Sequence, residues 1–319
     1  MEMAVDSMGN LFTPAYFNSF HCLMGACPDS CCRAGWEIPI DDDTIESLRA
    51  FPSLETDRNI CIGSDGDIVL RMNCDGVCPY LNSEGLCEMY IQSGMMGDVC
   101  SKHPRFYEEY YVNDEIAFTE AGLSVSCPEA ARIVLSASRA DYESLTGEDT
   151  EDELLNFLLE ARVKAFDITS PLQLISYGEL LQEEIDFGTF ELPENDDITD
   201  GEPVDLPDLC RFVLENTEIL TSEWRELLEK YEQGLRMSIG VPENEKKALL
   251  DYLIFRFFLK AVNTEDILTE CRLISALYHL CIELSGIKGD FTETVRLVSK
   301  ELEHDDINLD LLRDFLMDS

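Results

Sequence analysis

The sequence predicts a mainly α-helical protein whose N-terminal part is a cysteine-rich module with a few short β-strands. Ten of the 13 cysteines lie before residue 128, among turns rich in glycine, asparagine and aspartate. After residue 140, apolar residues recur at spacings of three and four, which is the period of an amphipathic helix. We therefore expect a cysteine-rich metal- or iron–sulfur-binding module in residues 1–140, packed on an α-helical domain in residues 141–319.

The N-terminal module is predicted from its turns and the short runs between them. Turn-like clusters stand at 63–67, 73–76 and 82–85, and alternating apolar and polar residues between and after them predict strands or hairpins at 67–72 and 110–119. Two helices frame these strands, one at 42–51 behind several aspartates and one at 128–139, where proline takes the first helical position.

The C-terminal domain is predicted to consist of consecutive helices. Two dipeptides favour helix starts, namely Ser170-Pro171 and Asn263-Thr264. The predicted helices cover 151–166, 171–184, 206–220, 222–237, 243–263, 265–285, 291–303 and 308–317.

One segment of this domain is predicted to be an exposed acidic loop. Residues 186–208 contain nine acids, three prolines and two glycines, and no Lys or Arg occurs between Lys164 and Arg211. Such a composition favours a solvated loop or tether. A docking strip for a basic partner is the alternative interpretation.

The charge of the chain limits its partners. With 65 acidic and 23 basic residues, the formal net charge is −42. Nucleic acid and anionic membrane surfaces are therefore excluded, because both bind basic patches. A lysine-bearing protein would be attracted, although the charge is equally explained as a means of keeping the protein soluble. The sequence leaves the oligomeric state open.

The cysteines are predicted to be reduced. The N-terminus MEMAVDSMGN has two acids, no Lys or Arg and no long apolar run, so it does not resemble a secretory signal. No apolar run approaches the roughly 20 residues of a membrane-spanning helix. We expect a cytoplasmic protein, and disulfides are rare in that compartment.

The spacing of the cysteines predicts a metal site built from several loops. The run HCLMGACPDSCC contains Cys22, Cys27, Cys31 and Cys32, and more cysteines follow at 74, 78, 87, 100 and 127. Adjacent cysteines have Cα atoms about 3.8 Å apart, which is shorter than a disulfide prefers. Several thiolates that converge suit zinc or an iron–sulfur cluster.

The same residues resemble a known family. The cysteine run, CPYLNSEGLCEMY (78–90) and CSKHPRFY (100–107) are similar to the CxxxCxxCC zinc/iron-chelating family. CCRAGWEIPID (31–41), CSKHPRF (100–106) and LSVSCPEAARIVLS (123–136) resemble its flagellin lysine N-methylase branch more closely. The resemblance spans roughly residues 14–140, and the helical half adds no diagnostic motif.

The resemblance implies a protein-lysine N-methyltransferase that acts on flagellin, with S-adenosylmethionine as methyl donor and a 4Fe-4S cluster or zinc. It departs from the family pattern at Gly97, where a cysteine is expected, so Cys74 or Cys61 would be a substitute ligand. The implied metal ligands are Cys22, Cys27, Cys31, Cys32, Cys78, Cys87, Cys100 and Cys127.

The catalytic residues are not fixed by the sequence. His103 and Arg105 are candidates, the first as a ligand or proton carrier and the second as a clamp for the cofactor's carboxylate. Trp36 is expected to anchor the core beside the cysteines. No glycine-rich turn of the Rossmann type occurs. The cofactor would therefore bind an open iron of the cluster or a pocket in the helical half.

Two other functions agree with the same residues. The first is a non-catalytic adaptor, in which a metal only stabilises the cysteine module and the acidic helical half binds a basic protein partner. The second is a redox or metal-handling protein with labile thiols. An open coordination position beside a pocket would favour the enzyme, whereas a closed site of four cysteines would favour the adaptor.

Overall fold

The computed structural model describes residues 10–63, 66–145, 150–303 and 306–317. Helices make up 56% of the described residues and strands 10%, so the predicted mainly α fold class with a few short strands is confirmed. The predicted turn at 63–67 includes residues 64–65, which lie outside the described residues, as do residues 146–149 near the start of the predicted α-helical domain.

Contacts divide the chain into two compact units. The thiol unit comprises His21–Phe106 and Cys127–Glu129, and the helical unit comprises the chain up to Phe20, Tyr107–Ser126 and the chain from Ala130 onwards. Ten of the 13 cysteines belong to the thiol unit. The predicted division between residues 140 and 141 stays a prediction, because compactness does not show which part folds by itself.

The strands are short and lie mainly before residue 124. They are β1 (Asn10–Phe12), β2 (Ile60–Ile62), β3 (Ile68–Leu70), β4 (Arg105–Val112) and β5 (Glu115–Leu123). In the thiol unit, β2 pairs antiparallel with β3, with Cys61 opposite Val69. In the helical unit, the order is β1–β5–β4, and β1 runs parallel to β5.

The helices follow the predicted periodicity closely. In the helical unit, α11 is central and packs most extensively against α6 and α12. The helices are α1 (Asp42–Leu48), α2 (Glu88–Ser93), α3 (Asp98–Lys102), α4 (Pro128–Val134), α5 (Glu153–Ala165), α6 (Pro171–Phe187), α7 (Leu206–Asn216), α8 (Ser222–Glu232), α9 (Glu243–Phe257), α10 (Ala261–Thr264), α11 (Ile267–Lys288), α12 (Phe291–Leu302) and α13 (Asp306–Met317).

Side-chain caps determine where many helices begin. Ser170 accepts a hydrogen bond from the backbone N–H of Gln173, which confirms the predicted start of α6. The predicted start at Asn263-Thr264 is wrong, because these residues end α10. The cap of α11 is Asp266, whose carboxylate accepts from the N–H of Thr269 at 2.9 Å.

The helix predicted over 243–263 is interrupted. It ends at Phe257, and Phe258–Lys260 form a tighter 3-10 turn before α10. Phe257, Phe258 and Leu259 are all fully buried or nearly so. The interruption lies within the core, because α9 before it also buries eight consecutive residues, 248–255.

The hairpin predicted at 110–119 is confirmed as β4 and β5. The two turn residues, Asn113 and Asp114, have φ angles of 54° and 64°. A two-residue turn with two left-handed positions is the type that matches the twist of paired strands, and Asn and Asp tolerate it well. On the inner face, the ring of Tyr110 stacks on Phe118 with centroids 4.8 Å apart.

The segment predicted as an acidic loop connects α6 and α7. Helix α6 continues to Phe187, and residues 188–205 contain one 3-10 turn, at Asn195–Asp197. The N–H of Gly201 donates to the carbonyl of Leu172 at 2.9 Å. An added Cβ at Gly201 would lie 2.9 Å from the nitrogen of Ser176. The connection therefore lies along α6 and needs glycine at this close approach.

Glu108 on β4 joins the sheet to the helices. Its carboxylate accepts hydrogen bonds from Arg256 of α9 and from Lys260 of the 3-10 turn. Burial raises the pKa of the Glu108 carboxyl, but the charges of Arg256 and Lys260 outweigh burial and hold it below its ordinary value of 4.5.

We expect Glu108→Gln to lower the free energy of unfolding by about 1–2 kcal/mol at neutral pH. A carboxyl with a depressed pKa stabilises the folded state above its ordinary pKa, and this contribution disappears as the pH falls through the folded value. The difference from the native chain should therefore shrink below pH 4.5. Chemical denaturation at several pH values measures it. Glu115→Gln, at an exposed position next to the turn, is the control. A difference that does not change with pH would contradict this account.

None of the helices in the described ranges is both long enough and apolar enough to cross a membrane.

Candidate metal centre

Two equivalent loops present cysteines in the thiol unit. Residues 73–78 read NCDGVC and residues 82–87 read NSEGLC, so each has the pattern Asn-x-acid-Gly-apolar-Cys. The two copies are nine residues apart and end at Cys78 and Cys87. We call them the twin loops.

The asparagine side chain organises each twin loop in the same way. Asn73 Oδ1 accepts from the N–H groups of Asp75 and Val77, both at 2.9 Å. In the second loop, the corresponding hydrogen bonds run to Asn82 Oδ1 from Glu84 at 3.0 Å and from Leu86 at 2.9 Å. The backbone bonds match as well, with Asn73 N to Val77 O at 3.0 Å and Asn82 N to Leu86 O at 2.9 Å. Cys78 and Cys87 therefore each stand at the end of a similar turn, which is closed by its own hydrogen bonds.

Glycine lets the first cysteine run approach these loops. An added Cβ at Gly76 would lie 3.1 Å from the Cα of Gly35, and one at Gly25 would lie 3.1 Å from Leu86 Cδ2. Gly76 and Gly85 also have φ angles of 69° and 76°, which favour glycine. Each twin loop therefore contacts one end of the segment that contains Cys27, Cys31 and Cys32.

Cys32 is the centre of the thiol network. It lies in a 3-10 turn at Cys31–Arg33, where the Ser30 hydroxyl accepts from its backbone N–H at 3.3 Å. The carbonyl of Cys32 accepts from the N–H of Cys78 at 2.8 Å, which joins this turn to the first twin loop. The Cys32 sulfur also forms side-chain hydrogen bonds with Cys31 and Cys78. The sulfur of Cys32 therefore interacts with two other thiols at once.

These hydrogen bonds separate the pKa values of the three thiols. Hydrogen bonds from Cys31 and then Cys78 lower the pKa of Cys32 to about 3, against the opposing effect of burial. The hydrogen bond to Cys32, followed by burial, raises the pKa of both Cys31 and Cys78. The arrangement is one thiolate that accepts from two neutral thiols.

Further thiols lie within electrostatic range of this centre. Burial, followed by the charges of Cys32 and Cys87, raises the pKa of Cys100 to about 12. Burial is also the main cause of the raised pKa of Cys87, which precedes α2. Cys22, in an exposed position, adds to the raised pKa of Cys31. Six of the predicted ligands thus interact electrostatically: Cys22, Cys31, Cys32, Cys78, Cys87 and Cys100.

The other two predicted ligands lie in the same unit. The Cys27 sulfur donates to the carbonyl of Asp29 at 3.3 Å. Cys127 is half-buried and directly precedes α4. Their participation in a metal site stays a prediction.

The position of the missing cysteine lies beside the network. Gly97 precedes α3, and an ideal Cβ there would lie 4.0 Å from the Cys100 sulfur. The predicted substitutes differ in exposure, because Cys74 is exposed in the first twin loop and Cys61 is half-buried in β2. The replacement of the missing thiol by Cys74 or Cys61 stays a prediction.

His103 and Trp36 lie next to the thiols. Their rings meet edge to face, with centroids 5.6 Å apart. Burial lowers the pKa of His103, and the charge of Cys32 opposes this shift only in part. The imidazole is therefore neutral at pH 7. Arg105 begins β4 and is half-buried.

An apolar cluster supports the thiols from within the unit. Cys78 is itself a buried member, and Cys32, Trp36, Cys87 and Cys100 pack against it. The buried members also include Ile38, Ile40, Ile45, Leu48, Leu54, Leu70, Tyr80 and Met89. The thiols therefore occupy one edge of a hydrophobic core, where solvent access is restricted.

The donor set fits a soft metal ion, although the thiols are not arranged as ligands. Within the described ranges, no three His, Cys, Asp or Glu side chains form a group that would hold a metal ion without rearrangement. The sulfurs of Cys31 and Cys78 instead form hydrogen bonds with the sulfur of Cys32. Zinc–thiolate bonds are about 2.3 Å long, so binding would draw the sulfurs inward. A donor set made of sulfur atoms suits zinc or an iron–sulfur cluster.

A surface depression of about 430 Å³ lies elsewhere in the thiol unit. It contains none of the predicted site residues, and the carboxylates of Asp57 and Glu55 already pair with its two arginines, Arg49 and Arg58. A cofactor carboxylate would have to displace those pairs. We assign no ligand to it.

Comparisons of the chain with protein-family models, with curated proteins and with solved structures find no match. The resemblance to the flagellin lysine N-methylase branch therefore stays a prediction that rests on the motifs quoted above.

The equivalence of the twin loops was missed in the sequence. NCDG and NSEG predict turns, but the signal for a repeat lies in the six-residue pattern that ends in cysteine. Comparing the two turns with each other would have shown that Cys78 and Cys87 occupy equivalent positions. It would also have added Asn73 and Asn82 to the site as residues that position the thiols.

We expect Asn82→Ala to lower the stability of the thiol unit by about 1–3 kcal/mol, because two backbone N–H groups would lose their acceptor. Amide hydrogen exchange should accelerate at Glu84 and Leu86, which donate to that side chain. Asn73→Ala should have a comparable effect on its own loop. Asn216→Ala, at an exposed helix end, is the control and should change neither loop. Unchanged exchange in the second loop would contradict the equivalence of the two turns.

Proposed function

We propose that the thiol network binds a 4Fe-4S cluster or zinc, and that the protein uses this centre to methylate lysine side chains of flagellin with S-adenosylmethionine. The observation that supports metal binding is the electrostatic interaction among six thiols from separate segments, four of which interact directly with Cys32. Methylation is supported by the resemblance of the three quoted motifs. A cytoplasmic location agrees with the absence of disulfides among all 13 cysteines.

In this metal site, the protein side chains and the metal would have separate roles. Three of Cys32, Cys78, Cys87 and Cys100 would hold a cluster with one open iron, and all four would hold zinc, with Cys31 and Cys22 as nearby alternatives. A cluster with one iron free of cysteine would hold the methionine-derived part of the cofactor. The neutral imidazole of His103 has the protonation state needed to accept a proton from a lysine ammonium. Its depressed pKa makes it a weak base, so the amine would also need desolvation.

The acidic surface would contribute to capture of the substrate. A net charge of −42 attracts lysine-bearing segments at long range. A carboxylate beside the amine would nevertheless raise the pKa of the amine and oppose methylation. The acids are therefore assigned to capture and not to activation.

Anaerobic reconstitution tests the proposal. The full chain is loaded with iron and sulfide or with zinc, its metal content is measured, and it is incubated with flagellin and labelled S-adenosylmethionine. The expected result is a broad visible absorption band that changes on addition of the cofactor, followed by methylated lysines in the mass spectrum. Activity intact in a zinc-only preparation, with no spectral response, would overturn the cluster part. Absence of methylated lysine in every loaded form would overturn the enzymatic part.

The second candidate is a non-catalytic adaptor that binds a basic protein. It is favoured by the position of the thiols at the edge of an apolar core, where a metal would stabilise the thiol unit. In that case, a loaded protein would retain a basic protein on a column without transferring a methyl group.

A further inference from the structure

Strand β4 forms an edge of the sheet in the helical unit. The strand order β1–β5–β4 places β5 in the centre, and no strand of the described residues pairs with the outer side of β4. At the other edge, β1 has only three residues, whereas β4 has eight. An edge strand carries a row of N–H and C=O groups that are available to another extended chain.

The composition of β4 does not block its edge. Its sequence is RFYEEYYV, with no proline, glycine or lysine. Natural proteins commonly protect edges with charged side chains, proline or a bulge. In β4, Glu108 is already paired with Arg256 and Lys260, and the exposed Glu109 would repel an acidic strand and attract a basic one. The four aromatic residues and the valine favour extended backbone. The part of β4 in the helical unit, residues 107–112, therefore has the features of a pairing surface.

Side chains on the inner face of β4 fix the strand through their contacts within the helical unit. Tyr110 is buried and stacks on Phe118, and Glu108 is fixed by Arg256 and Lys260. A strand that is already ordered loses little further entropy when a peptide pairs with it. The geometry needed for strand addition thus exists before a partner arrives.

The outer face of β4 carries negative charge. Glu109 and Tyr111 are exposed on the same side of the strand, and the Tyr111 hydroxyl donates to the Glu109 carboxylate. The hairpin turn adds two more exposed carboxylates, Asp114 and Glu115. A second copy of the chain is a poor partner for this surface, because each copy carries a net charge of −42.

From these observations we infer that the edge of β4 over residues 107–112 binds an extended, lysine-bearing segment of another protein by strand addition. Main-chain hydrogen bonds would supply affinity, and Glu109 beside the rings of Tyr107 and Tyr111 would recognise a lysine. The identification of that segment as flagellin rests on the proposed function. The strand-addition surface itself does not.

Peptide binding to the full chain tests the inference, without metal or methyl donor. The probe is a short peptide of alternating threonine and lysine, and its counterpart has glutamate in place of lysine. Hydrogen-exchange mass spectrometry should show that the lysine peptide protects amides in 107–112 and leaves α13 unchanged. Glu109→Lys should weaken binding roughly fivefold. Glu183→Lys makes the same charge change at an exposed site on α6 and should have a much smaller effect.

Three outcomes would overturn the inference. The first is that the lysine peptide protects amides outside β4. The second is that Glu109→Lys and Glu183→Lys lower the affinity for the peptide equally. The third is that the chain self-associates as its concentration rises and protects the amides of 107–112 without peptide. Failure of methylation with protection of β4 intact would overturn the proposed function alone. Methylation of flagellin by Glu109→Lys with an unchanged KM would overturn the role of β4 in docking while leaving the activity standing.

Discussion

Replacing Arg162 with methionine is expected to lower the free energy of unfolding of the helical unit by about 3–5 kcal/mol. Arg162 lies on α5 and is 0% exposed, and its partner Glu120 on β5 is 2% exposed. The guanidinium donates to both carboxylate oxygens, at 2.8 and 2.5 Å, and to the carbonyl of Leu145 at 3.1 Å. The substitution would leave a carboxylate buried without its counter-ion, and this accounts for the large effect.

Chemical denaturation of three variants measures this effect. Combining Arg162→Met with Glu120→Leu should recover most of the loss, because no unpaired charge would then remain. Arg49→Met removes an ion pair with Asp57 in which the side chains are 52% and 72% exposed. Its cost should be no more than about 1 kcal/mol. A similarly small cost for Arg162→Met would show that the buried pair does not stabilise the fold as argued.

Replacing Cys32 with alanine is expected to abolish stable metal binding, with a loss of affinity of at least about 100-fold. Cys32 is the sulfur on which the hydrogen bonds of Cys31 and Cys78 converge, and its backbone carbonyl holds the first twin loop. Metal content after anaerobic reconstitution is the direct measurement. Trp36 packs against the thiol-bearing core, so quenching of its fluorescence on loading should also disappear in the variant.

Cys210→Ala is the matched control for this variant. Cys210 is a fully buried thiol in the helical unit and has no part in the predicted site. The control should bind the same amount of metal as the native chain. If Cys32→Ala also bound it, the metal would be held by a set of thiols that excludes the centre of the network.

The helices could be predicted because their information is local. Ser170 caps α6 as expected, and the acid-capped α12 begins within the predicted limits. Features that depend on distant residues could not be predicted. The three-residue strand β1 exists because it pairs with β5, more than 100 residues later. The 3-10 turn at Phe258–Lys260 has no local signal in the sequence, since the apolar pattern continues through it.

The site shows the same contrast between local and distant information. Spacing and the adjacent pair Cys31 and Cys32 predicted a site built from several loops, and six of the eight predicted ligands interact electrostatically, although their role as metal ligands stays a prediction. The choice of Cys32 as the centre depends on hydrogen bonds to Cys31 and to Cys78, which is 46 positions later by residue number. The pairing of Glu120 with Arg162 was invisible for the same reason, since each residue alone fits an exposed position.

The twin loops make each cysteine turn a portable unit. Six residues, Asn-x-acid-Gly-apolar-Cys, contain the side-chain and backbone hydrogen bonds that close the turn. Because these hydrogen bonds lie within the hexapeptide, we expect it to keep its conformation when it is placed in a loop of an unrelated scaffold. Two copies separated by a few residues would then install a pair of thiols with defined directions. Duplication of one short segment is also a simple route by which a chain could acquire two ligands from one.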